Sequence, residues 1–557
     1  MSDLIRRRAA AVLMVALSVL AAVGAMAPSY GQTYTPITGE GSSWASNAIL
    51  DWDSHVKPSG ISVNFSPTGS VQALNDYANG NSLNFAASDV PYGLPGGQTP
   101  GAPGRGFAYV PDVAGGTALM YNLNVGGQRF TGLKLSPSTI AGIFQGSIKS
   151  WNDPQIAASN PGVALPPLQI TPVVRSDPSG ATYQFTLYLS KATGQWRCGA
   201  FTDPSKCAAW ANVKQQNGDS GVAGYISQSG NVGSIGYTQY SFALQAGFPA
   251  AKVLNASGFY VLPTASNVAV GLLGAKVNMD QSNPATYLTQ DLSGVYSNSD
   301  QRAYPISSYS YFVVPTATTN GVKSQTGYTI AAYVNYALCS GQADMPTLGY
   351  SPLPMNLVQA GLDQVKKVPG APASALNISN CKNNPTFSSN GTNTLALNAL
   401  YPDLCDKQGA KATCVYGKSS HGVSSSTSGQ GDNNAVGNHT SGSSSGSGGG
   451  SSVVGGGGGT GTSTGVPGNT TPGGSSNGGG SGSGGGNSSL SLTNPNGQYS
   501  CDPDTGQCTK LAATPTLVSD HAGSTFSEWA IWVALASLVA LVAVPPISVL
   551  LKRRAAR

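Results

Sequence analysis

From Ser419 to Ser489 the chain runs for 71 residues dominated by glycine and serine, with Asp432 as the single charged group and no aromatic residue. Such a stretch buries too little apolar surface to offset the entropy of ordering its backbone, so no core forms in it. It predicts a disordered tether over 418–489, which splits the 557 residues into a long upstream part and a short downstream part. A glycine-rich coil of that length has a root-mean-square span of about 45–50 Å.

The two ends read as addresses rather than as fold. Arg6-Arg7-Arg8 precedes an uncharged run from Ala9 to Ala27 that closes on Ala25-Met26-Ala27, the pattern of an export signal over 1–31. The absence of a cysteine before Cys198 argues against a lipid anchor at a processed N-terminus. Beyond the tether and a juxtamembrane segment (490–528), Trp529 to Leu551 is 23 residues without a charge, enough for one transmembrane helix. Lys552-Arg553-Arg554 and Arg557 follow, so the tail 552–557 is expected in the cytoplasm and everything upstream outside. The expected location is the cell membrane, crossed once, with the folded part on the extracellular side.

Eight cysteines, Cys198, Cys207, Cys339, Cys381, Cys405, Cys414, Cys501 and Cys508, then lie on the oxidising side, where disulfides form. Connectivity does not follow from sequence, although close spacing favours Cys198–Cys207, Cys405–Cys414 and Cys501–Cys508, leaving Cys339 with Cys381. No Cys-x-x-Cys or Cys/His cluster supports a zinc site. A net charge of +5 is spread thinly, without the basic stripe of a nucleic-acid binder.

The body of the chain alternates strand and helix patterns, as α/β layers do. "ISVNF" precedes apolar helix positions Val71, Leu74, Tyr77 and Ala78, and "LQITPVV" precedes Ala181, Phe185, Tyr188 and Leu189. A helix with Ala45, Ala48, Ile49 and Trp52 follows "GEGSSW", and Ser136-Pro137 opens one with Ile140, Ile143 and Phe144. Three of these helices begin at glycine–hydroxyl clusters: Gly41-Ser42-Ser43, Thr68-Gly69-Ser70 and Ser179-Gly180. Helix N-termini carry unpaired N–H groups and the positive end of the macrodipole, so such openings suit an anion as well as plain N-capping. Arg175 stands beside one of them, and so does Asp177. A carboxylate repels a fully ionised anion but accepts a hydrogen bond from one that carries a proton. Asp177 therefore points to a protonated oxyanion; the simpler alternative is that it caps the helix and pairs with Arg175.

"GEGSSW", "VNFSPTGS", "FAASDVPYG", "IAGIFQGSIKSWNDPQIAASNPGVALP", "VVRSDPSGATYQFTLYLS", "GSIGYTQYSFA" and "YPISSYSYFVVP" occur in this order. Together, over about residues 35 to 370, they resemble the phosphate-binding proteins of bacterial phosphate ABC transporters. That resemblance implies a two-lobed periplasmic-binding-protein fold over 32–370 with two hinge crossovers, near Tyr109–Gly116 and Pro305–Tyr311. Lobe 1 takes about 35–110 and 308–370, and lobe 2 about 115–305. It further implies a phosphate site made of Ser43, the Trp44 backbone, Ser70, Asp89, Arg175, Asp177, Ser179, Gly180 and Ala181. The partners implied are inorganic phosphate and a transporter permease, for a monomer without metal or cofactor. Glu40, Pro178 and Ala181 depart from the family pattern, and Glu40 adds a negative charge near the first cluster. A cysteine-containing extension, 371–417, lies outside the resemblance and has no functional reading.

Two other classes compete with this one. "GDSG" at Gly218–Gly221 resembles the nucleophile segment of a serine protease, yet His55 is the only histidine ahead of the tether and belongs to no matching motif. Enzymatic activity is therefore not expected. A membrane-tethered receptor or adhesin that keeps the oxyanion fold without feeding a transporter is the alternative function.

Overall fold

The computed structural model describes residues 33–80, 82–207, 213–318 and 321–411, together with two short strands, Tyr499–Cys501 and Cys508–Lys510. The expected signal segment, tether, apolar segment 529–551, basic tail and Cys414 lie outside the described residues. Among the described residues no helix is long and apolar enough to cross a membrane.

Each expected strand–helix unit forms. Strand β1 (Ile37–Gly41) leads to helix α1 (Ser46–Val56), and β2 (Val63–Ser66) to α2 (Ser70–Ala78). After β3 (Phe85–Ser88) comes β4 (Phe107–Tyr121), whose 15 residues are all buried. Ser136 caps the helix Pro137–Phe144 by accepting from the Thr139 N–H, as its Ser-Pro start predicts. Strand β5 (Thr171–Arg175) leads to α3 (Gly180–Ala192), β6 (Lys214–Gln216) to α4 (Gly218–Ile226), and β7 (Ser234–Gln239) follows. Strand β8 (Ser307–Pro315) completes the sheet's long members.

These strands form one mixed sheet in the order β2-β1-β3-β8-β4-β7-β5-β6, with the short strand Tyr350–Ser351 also on β4. β1, β2 and β3 run parallel, as do β5, β6 and β7, and the antiparallel pair β4/β8 stands between the two sets. At roughly 3.3 Å per residue β4 extends about 50 Å, so its first part pairs with β8 and its end, Thr117–Tyr121, with β7. The segments expected as crossovers are thus these two strands. Their ladder is interrupted where Tyr309 faces Ala114 but Tyr311 faces Pro111. The bulge sets Ser310 against Asp112 and Val113, and it falls where Pro111 has no N–H to offer the ladder. Strands β3, β4, β7 and β8 are buried at every residue, whereas the edge strands β2 and β6 keep exposed residues; Trp52, Phe85, Phe312 and Tyr333 pack together on one side.

Residues 371–411 pack against the body at several places, including bonds from Asn384 and Thr386 to the Leu353 carbonyl at 2.9 and 2.8 Å. Cys381 is bonded to Cys339, just after helix Ser324–Leu338. Arg302 donates to the carbonyls of Ala396, Leu397 and Ala399 at 3.2–3.3 Å. The buried carboxylate of Asp406 meets Lys134 Nζ at 3.1 Å and Lys252 Nζ at 2.5 Å. The second disulfide is Cys198–Cys207, so both described pairings follow the spacing argument. In the small C-terminal hairpin the backbone register places Cys501 opposite Cys508.

Candidate functional site

Parallel strands deliver their carboxyl ends to one edge, and in open α/β sheets that edge is where ligands bind. Here the loops leaving β1, β2, β3, β5 and β6 meet. Ser42 Oγ donates to Asp89 Oδ1 at 2.6 Å, and Ser70 Oγ to Asp89 Oδ2 at 3.1 Å. Ser43 Oγ donates to Asp219 Oδ2 at 2.7 Å across 176 residues of sequence. Two glycines let the loops close up. A Cβ on Gly180 would lie 2.7 Å from Ser70 Oγ and 2.8 Å from Asp89 Cβ. One on Gly69, whose φ is +98°, would lie 2.9 Å from Asp177 Oδ2.

Arg175 is the hub, with only 1% of its surface exposed. Its Nε donates to Asp177 Oδ1 at 2.9 Å and its Nη2 to Asp177 Oδ2, a two-pronged pairing that fixes the guanidinium plane. Nη1 donates to Asp219 Oδ2 at 2.6 Å. Asp177 Oδ1 also accepts from the Gly218 N–H at 3.1 Å. It does not cap α3: Ser179 does, accepting from the Thr182 N–H at 3.0 Å while its hydroxyl donates to Thr182 Oγ1. Asp219 Oδ1 in turn accepts from Thr238 Oγ1 at 3.0 Å and the Gln239 N–H at 2.9 Å, at the end of β7.

Three carboxylates thus lie around one buried guanidinium. Burial pushes the Asp89 carboxyl up to about 6, and the negative charge of Asp219 adds to that rise while Ser42 and Ser70 oppose it. Burial works in the same direction on Asp177, but the Arg175 charge and its hydrogen bonds outweigh it and hold this carboxyl below the usual range. For Arg175 burial disfavours the charge, and Asp219 and Asp177 more than restore it. Glu40 is turned elsewhere: its interactions are with Asp76 and Thr68, and burial with the Asp76 neighbour raises it to about 7.

The structure brings Ser43, Ser70, Asp89, Arg175, Asp177, Ser179 and Gly180 into this one cluster. Trp44 and Ala181 are buried beside it, at the starts of α1 and α3. The Trp44 ring turns away from the cluster toward β4, where its indole N–H reaches Thr117 Oγ1 at 3.2 Å and Tyr350 meets it edge-on. Sequence reasoning missed Asp219. A signal for it exists in the sequence, because Gly218-Asp219-Ser220 is a fourth glycine–hydroxyl helix opening as well as part of the protease-like tetrapeptide. The fold removes that reading: Ser220 is exposed on α4, while His55 lies on α1 against Asp51 and Tyr336.

A family model described as a PBP superfamily domain matches residues 26–340. The phosphate-binding protein PstS of Xylella fastidiosa is 31% identical over 336 residues, covering 60% of this chain and 85% of that protein. PstS of Haemophilus influenzae is 29% identical over 331 residues, 59% of this chain and 92% of its own. PstS 2 of Mycobacterium tuberculosis is 32% identical over 304 residues, 53% and 76% of the two chains.

Proposed function

The chain belongs to the PBP superfamily and stands with the PstS phosphate-binding proteins, and from that membership we propose that it binds inorganic phosphate outside the cytoplasm for delivery to an ABC-transporter permease. It is a binding protein, not an enzyme. The observation that carries the ligand is the buried Arg175 at the junction of glycine–hydroxyl helix openings. Of the five N–H groups of a guanidinium, three go to Asp177 and Asp219, which leaves two for an anion. Ser43, Ser70, Ser179 and the backbone at Trp44, Gly180 and Ala181 supply further donors once the hydroxyls turn from their protein partners to the ligand. Asp177 fixes the arginine. Asp89 is the acceptor for the ligand's proton, because its own partners are rotatable serine hydroxyls.

Calorimetric titration of the purified full-length protein with phosphate and with sulfate tests this. Phosphate is expected to bind and sulfate not to, since a proton-free dianion meets Asp89 as a like charge. Asp89→Asn replaces the acceptor by an amide that also donates, so the phosphate-to-sulfate preference is expected to narrow by roughly tenfold or more. An unchanged preference in folded variant removes Asp89 from that role; sulfate binding without phosphate binding removes the whole reading.

In the same proposal residues 35–110 with 308–370, and 115–305, are two lobes that close over the anion about β4 and β8. Trp529–Leu551 is the membrane anchor and the glycine–serine segment the tether that holds the domain off the surface, supported by the uncharged run and the basic residues after it. Protease added to intact cells is expected to release the binding domain by cutting between Ser419 and Ser489. Retention of the domain when that segment is accessible argues against the anchor.

A further inference from the structure

Toward the opposite end of α1 from Ser43, a second group of side chains meets. Asp51 and His55 stand one turn apart on one face of that helix. Asp344 joins them from the turn that follows helix Ser324–Leu338. One ligating atom from each of the three lies within 4.8 Å of those of the other two. Asp51 is the member that lacks a partner. It is only 7% exposed, and among the described buried carboxylates it alone has both oxygens without a hydrogen-bond donor. Buried carboxylates are ordinarily hydrogen-bonded, paired with a cation or bound to a metal. His55 offers a charge only when protonated, and its Nδ1 is 3.6 Å from Asp51 Oδ2, beyond hydrogen-bond reach, while 2.9 Å from the Asp51 carbonyl oxygen. We propose that Asp51, His55 and Asp344 bind one divalent transition-metal ion of the zinc class, which ties α1 to the turn at Asp344.

The ligand set selects the ion. An imidazole nitrogen with two carboxylates suits zinc and its transition-metal neighbours, whereas calcium and magnesium prefer sites made of oxygen alone. Ligand atoms on one tetrahedral zinc lie about 3.3 Å apart, so Asp51 Oδ2 and His55 Nδ1 are already close to chelating distance. Asp344 is exposed and heads the short helix Met345–Leu348 without capping it, so its carboxylate can turn through the remaining distance. The exposure of His55 and Asp344 admits water as a fourth ligand. The frame that presents the three groups is stiff. The Trp52 indole donates to the Gly341 carbonyl at 2.8 Å, and a Cβ on Gly341 would lie 2.6 Å from that indole, so helix and turn touch beside the ligands. Gln342 fastens the same turn to the carbonyls of Asp112 and Ala337 at 2.9 and 2.7 Å. The His55 ring stacks on Tyr336 with centroids 6.5 Å apart. A cation held there gives Asp51 the partner that the protein does not supply.

Zinc titrated into the purified full-length protein, followed by calorimetry and by the melting temperature, tests this. The melting temperature is expected to rise with zinc, because an ion that binds only the folded chain stabilises it by mass action, and to stay unmoved in calcium at the same concentration. His55→Ala removes the nitrogen ligand, so zinc affinity at this site is expected to fall roughly tenfold or more and the rise to disappear. Asp344→Ala, at an exposed position, is expected to do the same and serves if His55→Ala does not fold. His421, His439 and His521 are unchanged in both variants, so zinc held by them gives no difference from the natural protein. A plain ion pair between Asp51 and a protonated His55 predicts no rise with zinc in any of the three proteins. That result overturns the proposal, as does a rise of equal size in all three or one as large with calcium. None of these outcomes bears on the phosphate reading, on which this site does not depend.

Discussion

Arg175→Ala is expected to abolish measurable phosphate binding and to destabilise the domain in the same step. The guanidinium is the one positive group in the cluster, so its loss removes the main charge partner of a buried anion, an effect of about 2–5 kcal/mol, or roughly 30-fold to several-thousand-fold in affinity. It also strands Asp177 and Asp219, which are 16% and 1% exposed at the side chain. Breaking a buried ion pair by deleting one partner costs on the order of 3–5 kcal/mol, because the remaining charge stays in a poor solvent. The pH dependence has a definite sign. Asp177 is held below its unfolded range by Arg175, so that stabilisation is present above the unfolded carboxylate range and is lost as pH falls through the depressed folded value. The variant lacks it, so the gap between variant and natural protein should be widest near neutral pH and shrink in acid. Calorimetric titration at about pH 7, and urea denaturation at about pH 7 and about pH 3, check both halves. Retained phosphate affinity in the alanine variant would place the anion elsewhere.

A comparable loss of stability, without loss of the site, is expected for Asp406→Ala. Its carboxylate is 2% exposed and joins Lys134 and Lys252, themselves 8% and 14% exposed, while Lys134 also donates to the Cys405 carbonyl at 2.6 Å. Removing Asp406 takes away the charge that both lysines share, with a cost on the order of 3–5 kcal/mol. Because Asp406 belongs to the extension and the lysines to the body, the region after Cys381 should loosen first. Limited proteolysis is expected to cut within residues 382–411 in the variant and not in the natural protein, and urea denaturation measures the loss. Unchanged stability together with unchanged cleavage would mean that the remaining contacts, among them the disulfide, Arg302 and the bonds of Asn384 and Thr386 to the Leu353 carbonyl, secure the extension without Asp406.

What could be read from the sequence was what adjacent residues decide. Helix starts at Ser136-Pro137 and Ser179-Gly180 follow from capping chemistry within three residues, whereas the Ser70 hydroxyl goes to Asp89 and caps nothing. Strands at Val63–Ser66 and Thr171–Arg175 follow from short apolar or β-branched runs. The Cys198–Cys207 pairing needed only nine residues of separation. The residues proposed for the phosphate site could be named for a different reason, that seven short motifs in order resemble one family.

The partners were not legible. Asp177 was read as an acceptor for the ligand's proton or as a helix cap, but both its oxygens are taken by Arg175, and Gly218 shares one of them. Ser43 was read as a donor to the ligand, but it donates to an aspartate 176 residues away. Both facts depend on β6 and α4 lying beside β5 while α1 arrives from the other set of parallel strands. The sequence by itself determined where a charged, glycine-rich, hydroxyl-bearing helix start would occur, because capping and propensity are local free energies. Only the tertiary structure decided that Asp219 would face Arg175 there, because which carboxylate reaches a buried guanidinium is set by the order of strands in the sheet, and no local free energy encodes that order.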